Sequence, residues 1–233
     1  MPLRSNASVT DGSSGARPGL ISDSCELYRL LEKLELLKEK PPMWWPGYGS
    51  FEVIVGAILT QNSQWRRVEA SLENLRLQNC LDIDHLCEMD IKNLERLIAP
   101  SGLFKSKARC LHDLALAIRE EFGDFESFCL GVEREWLLKQ RGIGPETADS
   151  ILCYACKRDA MVVDAYTARL LSALGYEFDT YADLQAWCIK GLFSCEKGSP
   201  EDFALFHGMI VEYVKANSKG KKVNIDILKE GNR

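Results

Sequence analysis

The chain has no apolar run long enough to cross a bilayer as a helix, which takes about 20 residues. It has no excess of positive charge: 29 Lys and Arg against 34 Asp and Glu leave a formal net charge of −5, so the molecule as a whole does not advertise a polyanion partner. Histidine is scarce, and His85, His112 and His207 stand too far apart to make a metal motif. No strand-period alternation appears, so the fold class is read as all-α. No basic-then-apolar leader opens the chain; no signal peptide is expected, and the expected location is cytoplasmic, or nucleoid-associated in a bacterium. Nine cysteines is an odd number without the close spacing of a secreted scaffold, so reduced thiols are expected.

What is present is an ordinary soluble composition, 46% hydrophobic over 233 residues, enough for one or two compact domains. Residues 1–22 are rich in Ser, Gly, Arg and Pro and read as a disordered tail. Asp23 caps a helix expected to run to Lys40, where Pro41-Pro42 ends it. Ser50 is placed as the cap of an apolar helix over 51–60, followed by helices over 65–77, 82–88, 91–98 and 105–122. Later helices are expected over 164–174, from Thr180 to about 193, and from Ser199-Pro200 to about 216. The charged segment 218–233 reads as frayed, with 223–228 able to pack back. Lys105, Lys107, Arg109, Lys139, Arg141, Lys157 and Arg158 gather near the motifs below, while acidic residues concentrate at 82–95 and 177–183. Screening limits charge attraction to about 8 Å in physiological salt, so this local patch matters more than the net charge. The bland alternative is that these side chains only solvate helix faces.

The most informative stretch is 137–166. Gly142-Ile143-Gly144 lies between two amphipathic helices, expected over 132–139 and 145–156. Glycines there let backbone N–H groups approach an anion without a Cβ in the way. Pro145 suits the first turn of the second helix, and the free amides and positive dipole end of that turn suit a phosphate. Asp164 follows the buried-looking pair Val162-Val163.

The hairpin, the second helix and an aspartate at this offset resemble the helix-hairpin-helix DNA glycosylases of the endonuclease III group, over about residues 44–214. The 3-methyladenine DNA glycosylase III branch is the nearest pattern. Leu59–Asn62 (LTQN) and Ser101–Arg109 (SGLFKSKAR) resemble loops that such enzymes push into the duplex. The resemblance implies a two-domain helical fold with a cleft between the domains. One domain is expected from 23–43 plus 159–217. The other is a central barrel-like domain over 44–158, ending in the hairpin at 132–156. It implies a monomer acting on double-stranded DNA with a damaged base, and no membrane. Cys188-x6-Cys195 is similar to the opening of the iron–sulfur loop of endonuclease III, but that loop needs four cysteines after the last helix. The cluster is expected to be absent, and no other cofactor is implied.

Carried onto this chain, the family's catalytic carboxylate is Asp164. A fixed anion beside C1′ lowers the barrier to an oxocarbenium-like sugar and can orient or deprotonate water. The plain alternative is a helix N-cap, and both readings can hold. Bifunctional relatives carry a lysine where this chain has Glu146; a carboxylate cannot form a Schiff base, which implies a monofunctional glycosylase without lyase activity. In the 3-methyladenine branch a glutamate at this place faces the base pocket, so the resemblance implies that Glu146 lines that pocket and can accept a hydrogen bond from an exocyclic amine. Without the resemblance it is simply an acidic residue in a helix first turn. Trp44, Trp45, Pro46 and Trp65 match the aromatic base pocket of the 3-methyladenine branch. Electron-rich rings hold a cationic alkylated purine better than a neutral base, by about 0.5–2 kcal/mol per contact. The competing reading is that the tryptophans are domain-junction core.

Gln61 and Leu103 are candidates to fill the gap left by a flipped nucleotide. Lys105, Lys107, Lys139 and Arg141, with Gly142, Ile143, Gly144 and Thr147, are candidates for backbone contacts to DNA. The carbonyls of Leu138, Gln140 and Ile143 match positions that hold a monovalent cation in several hairpin proteins. The leading function is removal of alkylated purines, chiefly 3-methyladenine, in base excision repair by base flipping. The alternatives are a glycosylase for uracil, mismatched thymine or an oxidised purine, and a non-catalytic DNA-binding hairpin module.

Overall fold

A computed structural model describes residues 21–230 of the chain. Most of the expected tail, 1–20, lies outside the described residues. Ile21 is fully buried, and its carbonyl accepts the Tyr176 hydroxyl at 2.6 Å, so the folded body begins earlier than Asp23. The helices in order are α1 (Ser24–Glu32), α2 (Phe51–Thr60), α3 (Trp65–Leu77), α4 (Ile83–Glu88) and α5 (Ile91–Leu97). A 3₁₀ turn (Ala99–Ser101) follows, then α6 (Phe104–Glu121), α7 (Phe125–Gly131), α8 (Arg134–Lys139) and α9 (Pro145–Ser150). After a π-helical turn (Ile151–Ala155) come α10 (Ala165–Ala173), α11 (Tyr181–Ser194) and α12 (Pro200–Ala216). The expected all-α class holds; among the described residues the strands are only two residues each, β1 (Ser218–Lys219) and β2 (Lys222–Val223), before α13 (Asp226–Glu230).

Local chemistry explains most of these bounds. Asp23 accepts the Glu26 N–H at 2.9 Å and opens α1. The helix does not reach Lys40 as its leucine pattern predicts. It stops at Glu32, because Glu35 adopts φ 50, and the chain then winds as turns closed by three-residue bonds such as Lys38 N–H to the Glu35 carbonyl. Leu34 and Leu37 still pack on the core, so the periodicity was real and the geometry was not. Ser50 sits at the start of α2, but its hydroxyl donates to the Gly47 carbonyl instead of capping the helix. α7 was not expected; Asp124 opens it by accepting the Ser127 N–H at 2.7 Å. Thr180 and Asp183 exchange bonds at the start of α11, and Ser199 with Asp202 forms a full capping box on α12.

α2 is apolar all round because it runs through the centre, with Phe51 and every residue from Val53 to Leu59 buried. α3, α6, α9 and the π turn pack around it, and α4 and α5 pack on α6. α1 packs against α11 and α12, and α10 against α12. Leu228 of α13 is buried, so the C-terminal segment folds back onto the body.

The thiols depart from expectation. Cys25 and Cys195 are joined in a disulfide, because α1 lies along α11 and brings their Cα atoms to 6.1 Å, a separation a disulfide spans. Cys188 is buried in the core. The pair with an iron–sulfur-like spacing is therefore committed elsewhere. Among the described residues no three His, Cys, Asp or Glu side chains gather as a metal site, so the residues present do not fit a cluster. No described helix is long and apolar enough to cross a membrane.

Candidate active site

Asp164 stands at the N-terminal cap of α10, delivered there by Val162 and Val163, both buried. Its two oxygens have different partners. Oδ1 accepts the Thr167 N–H at 2.8 Å and the Thr167 hydroxyl at 3.0 Å. Oδ2 lies 3.4 Å from His207 Nε2. The capping reading therefore holds, and it leaves one oxygen for the cavity. His207 is buried in α12, with Nδ1 2.7 Å from the Tyr154 hydroxyl, which also donates to the Ala204 carbonyl at 3.0 Å. Burial pushes the Asp164 carboxyl up, but His207 and the two Thr167 donors outweigh it and hold the carboxyl below the ordinary aspartate value.

A cavity of about 430 Å³ opens beside this carboxylate. Trp44, Trp45, Pro46, Trp65 and Glu146 all line it, so the five residues predicted as a base pocket do come together at one cavity. Trp45 is buried, and the Trp44 and Trp65 rings each meet it edge-on at 5.9 Å. Trp44 holds a left-handed backbone, φ 65, strain that an L residue keeps only where its surroundings enforce it. They do so here. Its indole N–H donates to Glu212 at 3.1 Å, and its side chain lies on Gly208 of α12, where an added Cβ would come within 2.6 Å of the ring. Glu212 also binds Lys40 at 2.9 Å and Lys215 at 3.1 Å, and all three line the cavity.

Glu146 and Asp164 line both this cavity and a second one of about 580 Å³, which is edged by Tyr176, Glu177, Phe178, Asp179 and Tyr181. Glu146 stays open to water. Even so, loss of solvent inside the cleft, with a smaller push from the Asp164 charge and some opposition from His207, raises its carboxyl above the ordinary glutamate value. The same helix carries a buried carboxylate, Asp149, which binds Arg134 of α8 at 2.6 Å and accepts from Tyr181 and Gln185 of α11 at 2.7 and 2.8 Å. Gln185 also donates to the Met161 carbonyl at 2.7 Å, three residues before Asp164. One buried charge thus ties the hairpin helices to the segment that delivers Asp164.

The hairpin has the bare backbone its glycines imply. Gly142 adopts φ 81 and packs on Cys110, and Gly144 is the cap of α9 with nothing within 4 Å of where a Cβ would stand. Ile143 and Thr147 are buried beneath it, while Lys105, Lys139 and Arg141 are exposed. Leu138 is exposed, and the Gln140 carbonyl accepts the Ile143 N–H at 3.2 Å. Gln61 reaches the hairpin itself, donating to the Gly142 carbonyl and the Thr147 hydroxyl, each at 3.0 Å. Leu103 is 61% exposed at φ 47, an apolar side chain held out on a strained turn. Lys107 corrects the sequence reading. It is buried, not surface-placed, because it lies on the inner face of α6; it donates to the carbonyls of Leu59 and Ser101. Burial, helped by the Arg67 charge, lowers its amine to about 8.

A profile of HhH-GPD superfamily base excision DNA repair proteins matches residues 55–185. The chain belongs to that superfamily. A provisionally named DNA repair glycosylase of Methanocaldococcus jannaschii is 39% identical over 182 residues, covering 74% of this chain and 80% of the relative. The solved structure of Helicobacter pylori 3-methyladenine DNA glycosylase (MagIII) bound to 1,N6-ethenoadenine superposes with a TM-score of 0.81 at 38% identity, over 84% of this chain and 99% of that one. A non-covalent endonuclease III–DNA complex shares the superfamily fold at 17% identity with a TM-score of 0.69, over 88% of this chain and 93% of that one.

Sequence reasoning missed His207, Tyr154, Glu212, Lys40 and Lys215. A signal existed for His207: Gly208 follows it inside a helix, where glycine is unfavourable unless something packs against the backbone. Nothing in the spacing marked Tyr154 or Glu212, whose partners come from distant segments.

Proposed function

We propose that the protein is a monofunctional DNA glycosylase. It would hydrolyse the N-glycosidic bond of alkylated purines, chiefly 3-methyladenine, in duplex DNA. One observation carries the reading: Asp164, held by His207, lines an aromatic cavity while the hairpin helix presents Glu146 in place of a lysine. The likeness to an enzyme crystallised with an adenine-derived base supports the same substrate class. In the reaction the C1′–N bond breaks and its electron pair leaves with the base, discharging an alkylated cationic purine to a neutral one. Asp164 stabilises the positive sugar, and water adds to C1′ with its proton passing to Asp164 or solvent. A base that is already cationic needs less help from a general acid. The exposed hairpin amides, Lys139 and Arg141 would hold the phosphates, with Lys105 beside Leu103. Leu103 and Gln61 would enter the duplex.

The test is release of identified free bases from duplexes carrying 3-methyladenine, 7-methylguanine, 1,N6-ethenoadenine, uracil or 8-oxoguanine singly. Release of 3-methyladenine with no borohydride-trapped adduct is the expected outcome. Preference for uracil or 8-oxoguanine would overturn the substrate class. A trapped adduct would overturn the monofunctional reading and point to Lys40 or Lys215, the lysines on the cavity wall.

A further inference from the structure

Lys107 spends its ammonium on two backbone carbonyls from different elements. The Leu59 carbonyl, accepting at 2.7 Å, is among the last four of α2, which have no partner inside the helix. The Ser101 carbonyl, accepting at 3.0 Å, closes the 3₁₀ turn. Each carbonyl is the root of a loop with left-handed backbone: Asn62 at φ 52 in one, Gly102 at φ 69 and Leu103 at φ 47 in the other. The first loop carries Gln61 and the second carries the exposed Leu103. Among the described residues no hydrogen bond joins 59–63 directly to 100–104; the lysine is the polar link between them. The second root is tied separately to α3, where Arg67 donates to the Pro100 carbonyl at 2.8 Å and the Ser71 hydroxyl accepts the Ser101 N–H at 3.1 Å.

We propose that Lys107 is a positioning residue that clamps the loops of Gln61 and Leu103 into one rigid unit, so that both enter the duplex together. The inference rests on the reading of those loops as the DNA-inserting elements. The physical case is that a buried ammonium is unfavourable wherever packing alone is needed, since a methionine would fill the same volume. Two backbone carbonyls, one of them at the C-terminal end of α2 where the dipole is negative, are what make it tolerable here. A buried cation between two loop roots resists their sliding apart, because separating them strips it of a partner with no water to replace it.

The test is a set of double-mutant cycles on binding to a duplex with an abasic-site analogue. Lys107→Met keeps the aliphatic length and removes both donors. With Lys107 present, Gln61→Ala and Leu103→Ala should each weaken binding and should be strongly non-additive, as members of one unit. In the Lys107→Met background binding should be about tenfold weaker at the outset, and the two loop substitutions should become additive. Base release at saturating DNA should change far less than the apparent KM. If Lys107→Met does not fold, Lys107→Gln, which reaches one carbonyl at most, serves in the same cycle. Unchanged non-additivity in either background overturns the clamp and leaves the loops' role standing. Loop substitutions without effect when Lys107 is present overturn the loop reading and the clamp with it.

Discussion

The hairpin and the aromatic cavity meet opposite requirements within one cleft. At the hairpin side chains are few: Gly142 and Gly144 carry none, with open space where a Cβ of Gly144 would be. In the cavity rings and charges from five separate segments converge. The first arrangement suits a ligand that is the same at every nucleotide. The second suits a ligand that differs from one base to the next. Affinity and selectivity should therefore be separable by substitution, and the following measurements sharpen or break that division.

The largest effect belongs to Asp164→Asn. Asparagine still accepts the Thr167 N–H and keeps the cap, so base release should fall by on the order of 10²-fold or more while abasic-duplex affinity stays close to native. Near-normal turnover would mean the carboxylate is only a cap. At the hairpin, Gly144→Leu places a side chain in open space at an ordinary φ of −97, so the fold should stand while phosphate approach is blocked. Undamaged and damaged duplexes should both bind on the order of tenfold more weakly, with little change in the rate at saturation. A loss confined to damaged DNA would erase the division between the two regions.

His207→Leu tests the electrostatics of the cavity. On the proposed mechanism Asp164 acts as an anion, and His207 is the chief group opposing the effect of burial on it. Without the histidine the carboxyl pKa rises, so the acid limb of the pH–rate profile should move to higher pH. An unmoved acid limb would show that His207 only packs.

Trp65→Leu keeps apolar contact and removes a π face, so the preference for 3-methyladenine over its 3-deaza analogue should shrink by about two- to fivefold in free-base titration at a pH where the two differ in charge. Equal discrimination by both proteins would assign selectivity elsewhere. The smallest effect is thermal. Glu146 is raised in the folded state, so its carboxylate opposes folding at neutral pH. Glu146→Gln should raise Tm slightly there, and the gain should vanish as pH falls through the ordinary glutamate range, where both states bind the proton. A gain that persists in acid would trace to packing rather than charge.

How much of this was legible in the sequence follows the same division. Local devices write themselves into consecutive residues: the glycine hairpin, Pro145 in a first turn, the Ser199-Pro200 start of α12 and the Asp164 cap could all be read. Helix ends without such a device were misread, as with the turns of Lys33–Lys40, where Glu35 adopts a positive φ. Convergent devices leave no local trace. Glu212 has meaning only beside Trp44, and Tyr154 only beside His207. Lys107 was misplaced because a basic residue next to a DNA-like motif reads as surface, and only the α6 register shows that it faces inward.

The packing of α1 against α11 and α12 has a consequence for how the molecule is made. During synthesis α1 leaves the ribosome before everything it packs against, while α2 to α9 emerge in sequence and find one another at short range. Helical regions of local contact assemble early, and elements with distant partners wait. Asp164 thus appears before His207, and Trp44 appears long before Gly208 gives it a seat. A nascent chain can present a finished hairpin while its cavity still lacks the α12 wall. The enzyme would then acquire the grip before the chemistry, and its reactive carboxylate would gain its partner only when the final long helix docks.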